Sequence, residues 1–241
     1  MQSLAVAERV VRQLIHDRRF LGLSLFVPVA IIYMLWVFFD AVEHPYFDVN
    51  TFVVPVGAFL VHFITYVLCM IVLVRERTLQ TLERMFVNGY TRSSVISGYL
   101  IAYSVIATVQ SLIVIVLLMT LFDLGYSLQT MLEIYAVIWL LAVISISLGI
   151  CVSNFAHNEG QVIPFIPLII TPSAFFSGML VDMTLMPDWA QVFSYTTPMY
   201  YANETIQSII SGGSINSIVA LIVYGGAVML LATLTLRDQE S

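Results

Sequence analysis

Six stretches of the chain, residues 20–39, 52–74, 98–122, 131–151, 162–181 and 216–236, are strongly apolar and almost free of charge. Each is close to the roughly 20 apolar residues that a helix needs to cross a bilayer. Charged residues make up only 10% of the 241-residue chain, against about 25% in a soluble domain. The expected fold class is an all-α integral membrane protein with six transmembrane helices, forming one domain over residues 1–241. The first stretch does not read as a cleaved signal peptide: it is too long, follows a charged leader and lacks a small-x-small cleavage site.

The basic residues are nine arginines, Arg9, Arg12, Arg18, Arg19, Arg75, Arg77, Arg84, Arg92 and Arg237, with no lysine. A P-loop holds the β/γ-phosphates with lysine, and a Schiff base needs a lysine amine. Both chemistries are excluded, so any ATP used must be bound by another chain. Basic residues stay on the cytoplasmic side of a membrane. The arginines fall before the first stretch, between the second and third, and after the sixth, segments that share one side when the spans are even in number. Both termini are therefore expected in the cytoplasm. The opposite segments, residues 40–51, 123–130 and 182–215, hold no arginine but carry Asp40, Glu43, Asp48, Asp123, Asp182, Asp188 and Glu204. The sequence pI near 5.0 reflects that outer face. Cys69 and Cys151 lie near cytoplasmic helix ends, where a reducing setting disfavours a disulfide and small apolar packing is the simpler role.

Three non-spanning segments have patterns of their own. In residues 1–19, Leu4, Ala7, Val11, Leu14 and Ile15 recur at helical spacing with arginines elsewhere around the wheel, as in an amphipathic helix lying at the interface of membrane lipid. The cytoplasmic segment 75–97 places Leu79, Leu82 and Phe86 at helical spacing among Arg75, Glu76, Arg77, Glu83 and Arg84. Asn88-Gly89 reads as a stop and Thr91 as the cap of a following helix. A helix of this size exceeds what a connector needs, and docking onto a partner is one explanation; retention charge on a solvated face is the other. The outer segment 182–215 contains two short helical stretches opened by Pro187 and Pro198, with Trp189, Tyr195, Tyr200 and Tyr201 at headgroup depth. It reads as a re-entrant helical hairpin before the last span, able to cap an outer cavity.

Within the spans, Pro164, Pro167 and Pro172 concentrate in the fifth, followed by Phe175, Phe176 and Gly178. Proline frees backbone carbonyls, which lipid does not satisfy, so this span is a candidate to line a path or gate. Ionisable groups are scarce: His62, with Tyr66 four residues on, and Glu133 near the outer end of the fourth span. An ion-coupled carrier or channel acting without an ATPase would want a carboxylate near the midplane, and none is placed there. A non-transporting scaffold is a third reading. Ser177-Gly178 lacks a later-span histidine to serve as base, and the four histidines show no metal-ligand spacing, so intramembrane catalysis and a metal site are not expected. The glycosylation pattern Asn203-Glu204-Thr205 is too common to carry weight.

The cytoplasmic run Arg75-Glu76-Arg77-Thr78-Leu79-Gln80-Thr81-Leu82-Glu83, then Tyr90-Thr91-Arg92 where a small-Pro-x-Arg turn is usual, resembles the six-span permease subunits of ABC-2 type transporters. The outer run Met186-Pro187-Asp188-Trp189, Thr197-Pro198-Met199-Tyr200-Tyr201 and Glu204 is similar to that family's Pro-x-Trp and Pro-x-x-Tyr patterns, and Phe176-Ser177-Gly178 fits the end of its fifth span. The resemblance implies a non-catalytic export subunit that pairs with a second permease, as a homodimer or heterodimer, and docks on a separate ABC ATPase subunit. ATP and Mg would sit on that ATPase, with no cofactor on this chain and no role for nucleic acid. It implies that residues 75–86 form one coupling helix, with Glu76 and Glu83 offering carboxylates and Arg75, Arg77 and Arg84 offering charge to the ATPase. Thr78, Leu79, Leu82, Phe86 and Arg92 would belong to the same surface. It further implies that His62, Tyr66, Phe165, Phe175 and Phe176 belong to the wall or gate of the path. Aromatic, nearly uncharged spans suit an amphipathic cargo such as a drug, a lipid or a lipid-linked glycan.

Overall fold

The computed structural model describes residues 2–41, 49–213 and 216–235, and among these every regular element is helical. The leader forms α1 (Gln2–His16). Asp17 then accepts hydrogen bonds from the backbone N–H groups of Arg19 and Phe20, at 3.1 Å each, and so starts α2 (Arg18–Leu21). One π-helical turn (Gly22–Phe26) carries it into α3 (Val27–Ala41). The 30 residues of α4 (Val49–Thr78) span about 45 Å at 1.5 Å per residue. A bilayer core takes about 30 Å, so α4 is longer than one crossing requires.

The single helix expected across residues 75–86 is corrected. Leu79 and Gln80 make a turn, Gln80 with φ 57° in the left-handed region, and a separate α5 (Thr81–Val87) follows. Gly89 at φ 81° ends α5, and the Thr91 hydroxyl caps α6 (Arg92–Leu121) by accepting from the Ser94 N–H. Ser127 caps α7 (Leu128–Ser153) in the same way. After α8 (Glu159–Phe175) come α9 (Asp188–Ser194), α10 (Pro198–Ser211), stopped by Gly212 at φ 69°, and α11 (Asn216–Thr235).

Five segments among the described residues are long and apolar enough to cross a membrane: Arg18–Ala41, Thr51–Thr78, Arg92–Leu121, Leu128–Ser153 and Ser217–Thr235. They correspond to five of the six apolar stretches. The other, residues 162–181, folds differently. Its helix α8 has 17 residues, about 25 Å, and stops at Phe175, where Gly178 with φ 77° turns the chain. Glu43 and Asp48 of the first outer segment, Ser214 and Ile215 of the hairpin, and the end of the sixth stretch with Arg237 lie outside the described residues.

The core sits between α4 and α7, where Tyr66, Cys69, Met70, Ile138, Leu141, Ile144 and Ile146 are all buried. Gly149 allows the close approach: a Cβ there would lie 3.0 Å from the Tyr66 carbonyl oxygen. Helix α6 covers one flank of this pair, and α10 and α11 pack on α7. The leader is not free of the bundle. Val6, Ala7, Val10 and Leu14 of α1 are buried, and α1 packs along α6. A Cβ on Gly98 would stand 2.5 Å from that of Val6. Leu4 and Ile15 remain exposed on the other side of the leader.

Candidate functional site

At the C-terminal end of α4 the charged residues divide into two groups. Glu76 is only 3% exposed. Its Oε2 accepts from Arg9 (2.8 Å) and from the Tyr99 hydroxyl (3.0 Å), and its Oε1 accepts from Gln13 Nε2 (2.6 Å). Burial works against the charge of Arg9, but the hydrogen bond and charge of Glu76 outweigh it and raise the guanidinium above its ordinary value. Arg77 donates to the carbonyls of Ser153 (2.6 Å) and Ala156 (3.3 Å) and to Asn154 Oδ1 (2.7 Å). It thereby satisfies carbonyls that the end of α7 leaves open, at the negative pole of that helix. The expectation that Glu76 and Arg77 face a partner is therefore corrected: both tie α4 to α1, α6 and α7.

Other residues of the corner point outward. Leu79 is 59% exposed and Val87 87% exposed, with Thr78 and Arg84 also at the surface. Arg75 is exposed beside Asp17, 3.6 Å away. Glu83 and Phe86 are half-buried, Leu82 is buried under α5, and Arg92 starts α6 at the surface. The result is a rigid corner, held internally by Glu76 and Arg77, that presents an apolar and basic outer face.

The proposed wall residues fall into three groups. His62 is buried between helices, with Nδ1 2.7 Å from Ser145 Oγ on α7 and Nε2 3.2 Å from Ser173 Oγ on α8. The Tyr66 hydroxyl donates to the Phe165 carbonyl (3.1 Å), adding a second polar tie from α4 to α8. Phe165 is half-buried and Phe175 exposed. Phe176 joins a cluster with Trp189 and Phe193 of α9, ring centroids 6.0 and 6.1 Å away. The outer side of α8, with Ile163, Pro164, Pro167, Leu168 and Thr171, is exposed.

Beyond α8, a cavity of about 800 Å³ opens between the start of α4, the 177–184 segment, α9 and α10. Asp182, Gln191, Tyr195, Tyr200, Asn203 and Glu204 are among its lining residues. Asn203 donates to the Ser177 carbonyl (3.0 Å), which fixes the non-helical chain after α8. Glu204 accepts from Tyr200 (3.0 Å) and Ser217 (3.1 Å). Burial, then Glu204, raises the Tyr200 hydroxyl above its ordinary value, while the Thr184 backbone N–H and hydroxyl hold Asp182 below the usual carboxylate range. Pro187 immediately precedes α9, and Pro198 opens α10 after Thr197. Trp189 stays exposed and α9 lies outward, whereas α10 buries Met199, Ala202, Thr205 and Ile206.

Sequence reasoning did not single out Gln207, Ser145, Ser173 or Arg9. Gln207 Nε2 donates to the Thr51 carbonyl (2.9 Å), the acceptor that Pro55 deprives of its helical donor. A proline within the second stretch was the available signal, since it demands a donor from elsewhere.

A profile described as ABC-2 type transporter matches residues 1–211. The chain is 23% identical over 141 residues to the ABC transporter G family member 20 of Dictyostelium discoideum, an alignment covering 58% of this chain and 19% of that protein. The aligned part is thus about a fifth of the relative's length. With the helical membrane fold and the two surfaces just described, the profile match identifies this chain as a member of the ABC-2 type transporter family.

Proposed function

We propose that the chain is the permease subunit of an ATP-binding-cassette exporter in the cytoplasmic membrane, working with a second permease and driven by a separate ATPase subunit that carries ATP and Mg. Both termini face the cytoplasm, and α8 with the following 176–181 segment supplies the sixth crossing. Non-helical backbone is tolerated at membrane depth where protein satisfies it, and the Asn203 bond to Ser177 supports that placement. The α9–α10 pair then forms the outer hairpin.

The observation that carries this reading is the corner made by α4 and α5. Its inner charges bind it to three helices, while Leu79, Arg84 and Val87 project. A motor closing on that outer face would move α4 as a rigid lever, and α4 meets α8 through His62 and Tyr66. The exposed side of α8 provides the face toward the second permease. The outer cavity lines its polar patch with Asp182 and Glu204 and, among the described residues, with no basic side chain, which suits an amphipathic cargo that is neutral or cationic.

Co-expression with a candidate ABC ATPase subunit tests the reading. Glu83→Arg and Leu79→Asp should each abolish co-purification of the ATPase and transport-coupled ATP hydrolysis while the permease stays folded. Intact complex and intact coupling in both variants overturn the docking assignment. Gradient-driven transport by the reconstituted permease alone would favour an ion-coupled carrier instead.

A further inference from the structure

A second cavity, of about 770 Å³, lies at the opposite end of the bundle, between the α1–α2 corner and the last turns of α4. Its rim carries Arg18, Arg19, Arg75 and His16, with Asp17 and Glu159. Its wall is apolar, formed by Phe20, Leu23, Leu68, Ile71 and Val72. The outer cavity shares no residue with it, and of the coupling corner only Arg75 reaches its rim.

The rim charges are not equivalent. Asp17 is occupied by the Arg19 and Phe20 N–H groups and sits beside Arg75. His16 Nδ1 lies 2.6 Å from the Arg12 carbonyl. The guanidinium groups of Arg18 and Arg19 are exposed and make no hydrogen bond or ion pair with any described residue. With Asp17 set against Arg75, these two cations face the single carboxylate of Glu159, so the rim is short of one negative charge. The wall below is partly uncovered: Leu23 is 53% exposed and Ile71 half-buried, while Phe20, Leu68 and Val72 lie buried behind them. The groove begins where the Arg18–Ala41 span starts and lies beside the end of Thr51–Thr78, the level at which a lipid headgroup meets its chains.

We infer that this groove binds one anionic glycerophospholipid, with its phosphate on Arg18 and Arg19 and an acyl chain along Leu23, Leu68, Ile71 and Val72. Free phosphate would satisfy the rim and leave the wall wet, whereas a zwitterionic lipid would fill the wall and leave the charge unbalanced. Arginine suits the phosphate because its planar fork donates in pairs. The inference rests on these helices crossing the bilayer, and not on the ATPase partnership.

The test uses the full chain purified in neutral detergent, with binding of phosphatidylglycerol and phosphatidylcholine followed by native mass spectrometry and thermal shift. Phosphatidylglycerol should bind preferentially. Arg18→Gln with Arg19→Gln should weaken it about 30-fold, as expected for two charges near a lipid surface, while Arg18→Lys with Arg19→Lys retains much of it. Arg12→Gln, whose side chain pairs with Glu8, should change nothing. Equal binding of both lipids, an unaffected glutamine double variant, or equal stabilisation by inorganic phosphate overturns the inference. The side of the membrane is scored separately, by a membrane-impermeant thiol reagent on Ser93→Cys in vesicles of either orientation, so a failed topology and a failed lipid site give different results.

Discussion

Glu76→Ala removes the shared acceptor of Arg9, Gln13 and Tyr99. Breaking a buried pair costs about 3–5 kcal/mol when both partners are enclosed. Arg9 keeps 37% of its side-chain exposure, so a loss of about 2 kcal/mol is expected, read as a lower melting temperature in detergent. Glu76→Gln should lose less, because the amide oxygen still accepts; an unchanged melting temperature in the alanine variant would remove Glu76 from the scaffold. Gln207→Leu should cost about 1–2 kcal/mol by orphaning the Thr51 carbonyl above Pro55. Roles of this kind were poorly legible in the sequence. Arg75, Glu76 and Arg77 are consecutive and all charged, yet Arg75 is exposed while Glu76 is buried and Arg77 half-buried. The direction of each depends on neighbours that are distant in the chain, Arg9 and Ser153. Outward positions such as Leu79 were easier to find, because an apolar residue outside a span already stands out.

Helices whose pattern is decided locally were readable in advance. The cap at Thr91 and the stop at Gly89 fall where side-chain chemistry and positive φ require them. The leader was readable as an amphipathic helix, but not in its partner. The buried row is Val6, Ala7, Val10 and Leu14, while Leu4 and Ile15, expected on the same apolar face, remain outside. Gly98 decides the matter, as the place where α6 lets α1 approach. Gly98→Leu should lift α1 away, and trypsin should then cut faster at Arg9 and Arg12 while α4 and α7 stay protected. Equal cleavage of variant and parent would show that α1 does not need this contact. Helix α8 was misjudged in length because hydropathy continues to Val181 although the helix ends at Phe175. Apolar composition measures tolerance of lipid, and Gly178 rather than composition ends the regular backbone.

On the scale of the whole molecule, five of the apolar stretches became long helices because each must close its own backbone hydrogen bonds in lipid. The exposed side of α8 is a surface this chain leaves uncovered, with Leu168 62% exposed. If it faces a second permease, Leu168→Cys should give an oxidant-dependent covalent dimer in membranes, whereas Val219→Cys on α11 should not. A dimer through position 219 and none through 168 would move the interface to the other side of the bundle. The docking of α1 on α6 also sets an order of assembly. Val6 and Val10 are made before Gly98, which follows only after two membrane-length segments. Throughout that interval the leader has an apolar row with no protein to cover it, and the nearest apolar phase is the bilayer surface. The leader's apolar row therefore waits for its protein cover until α6 has been made.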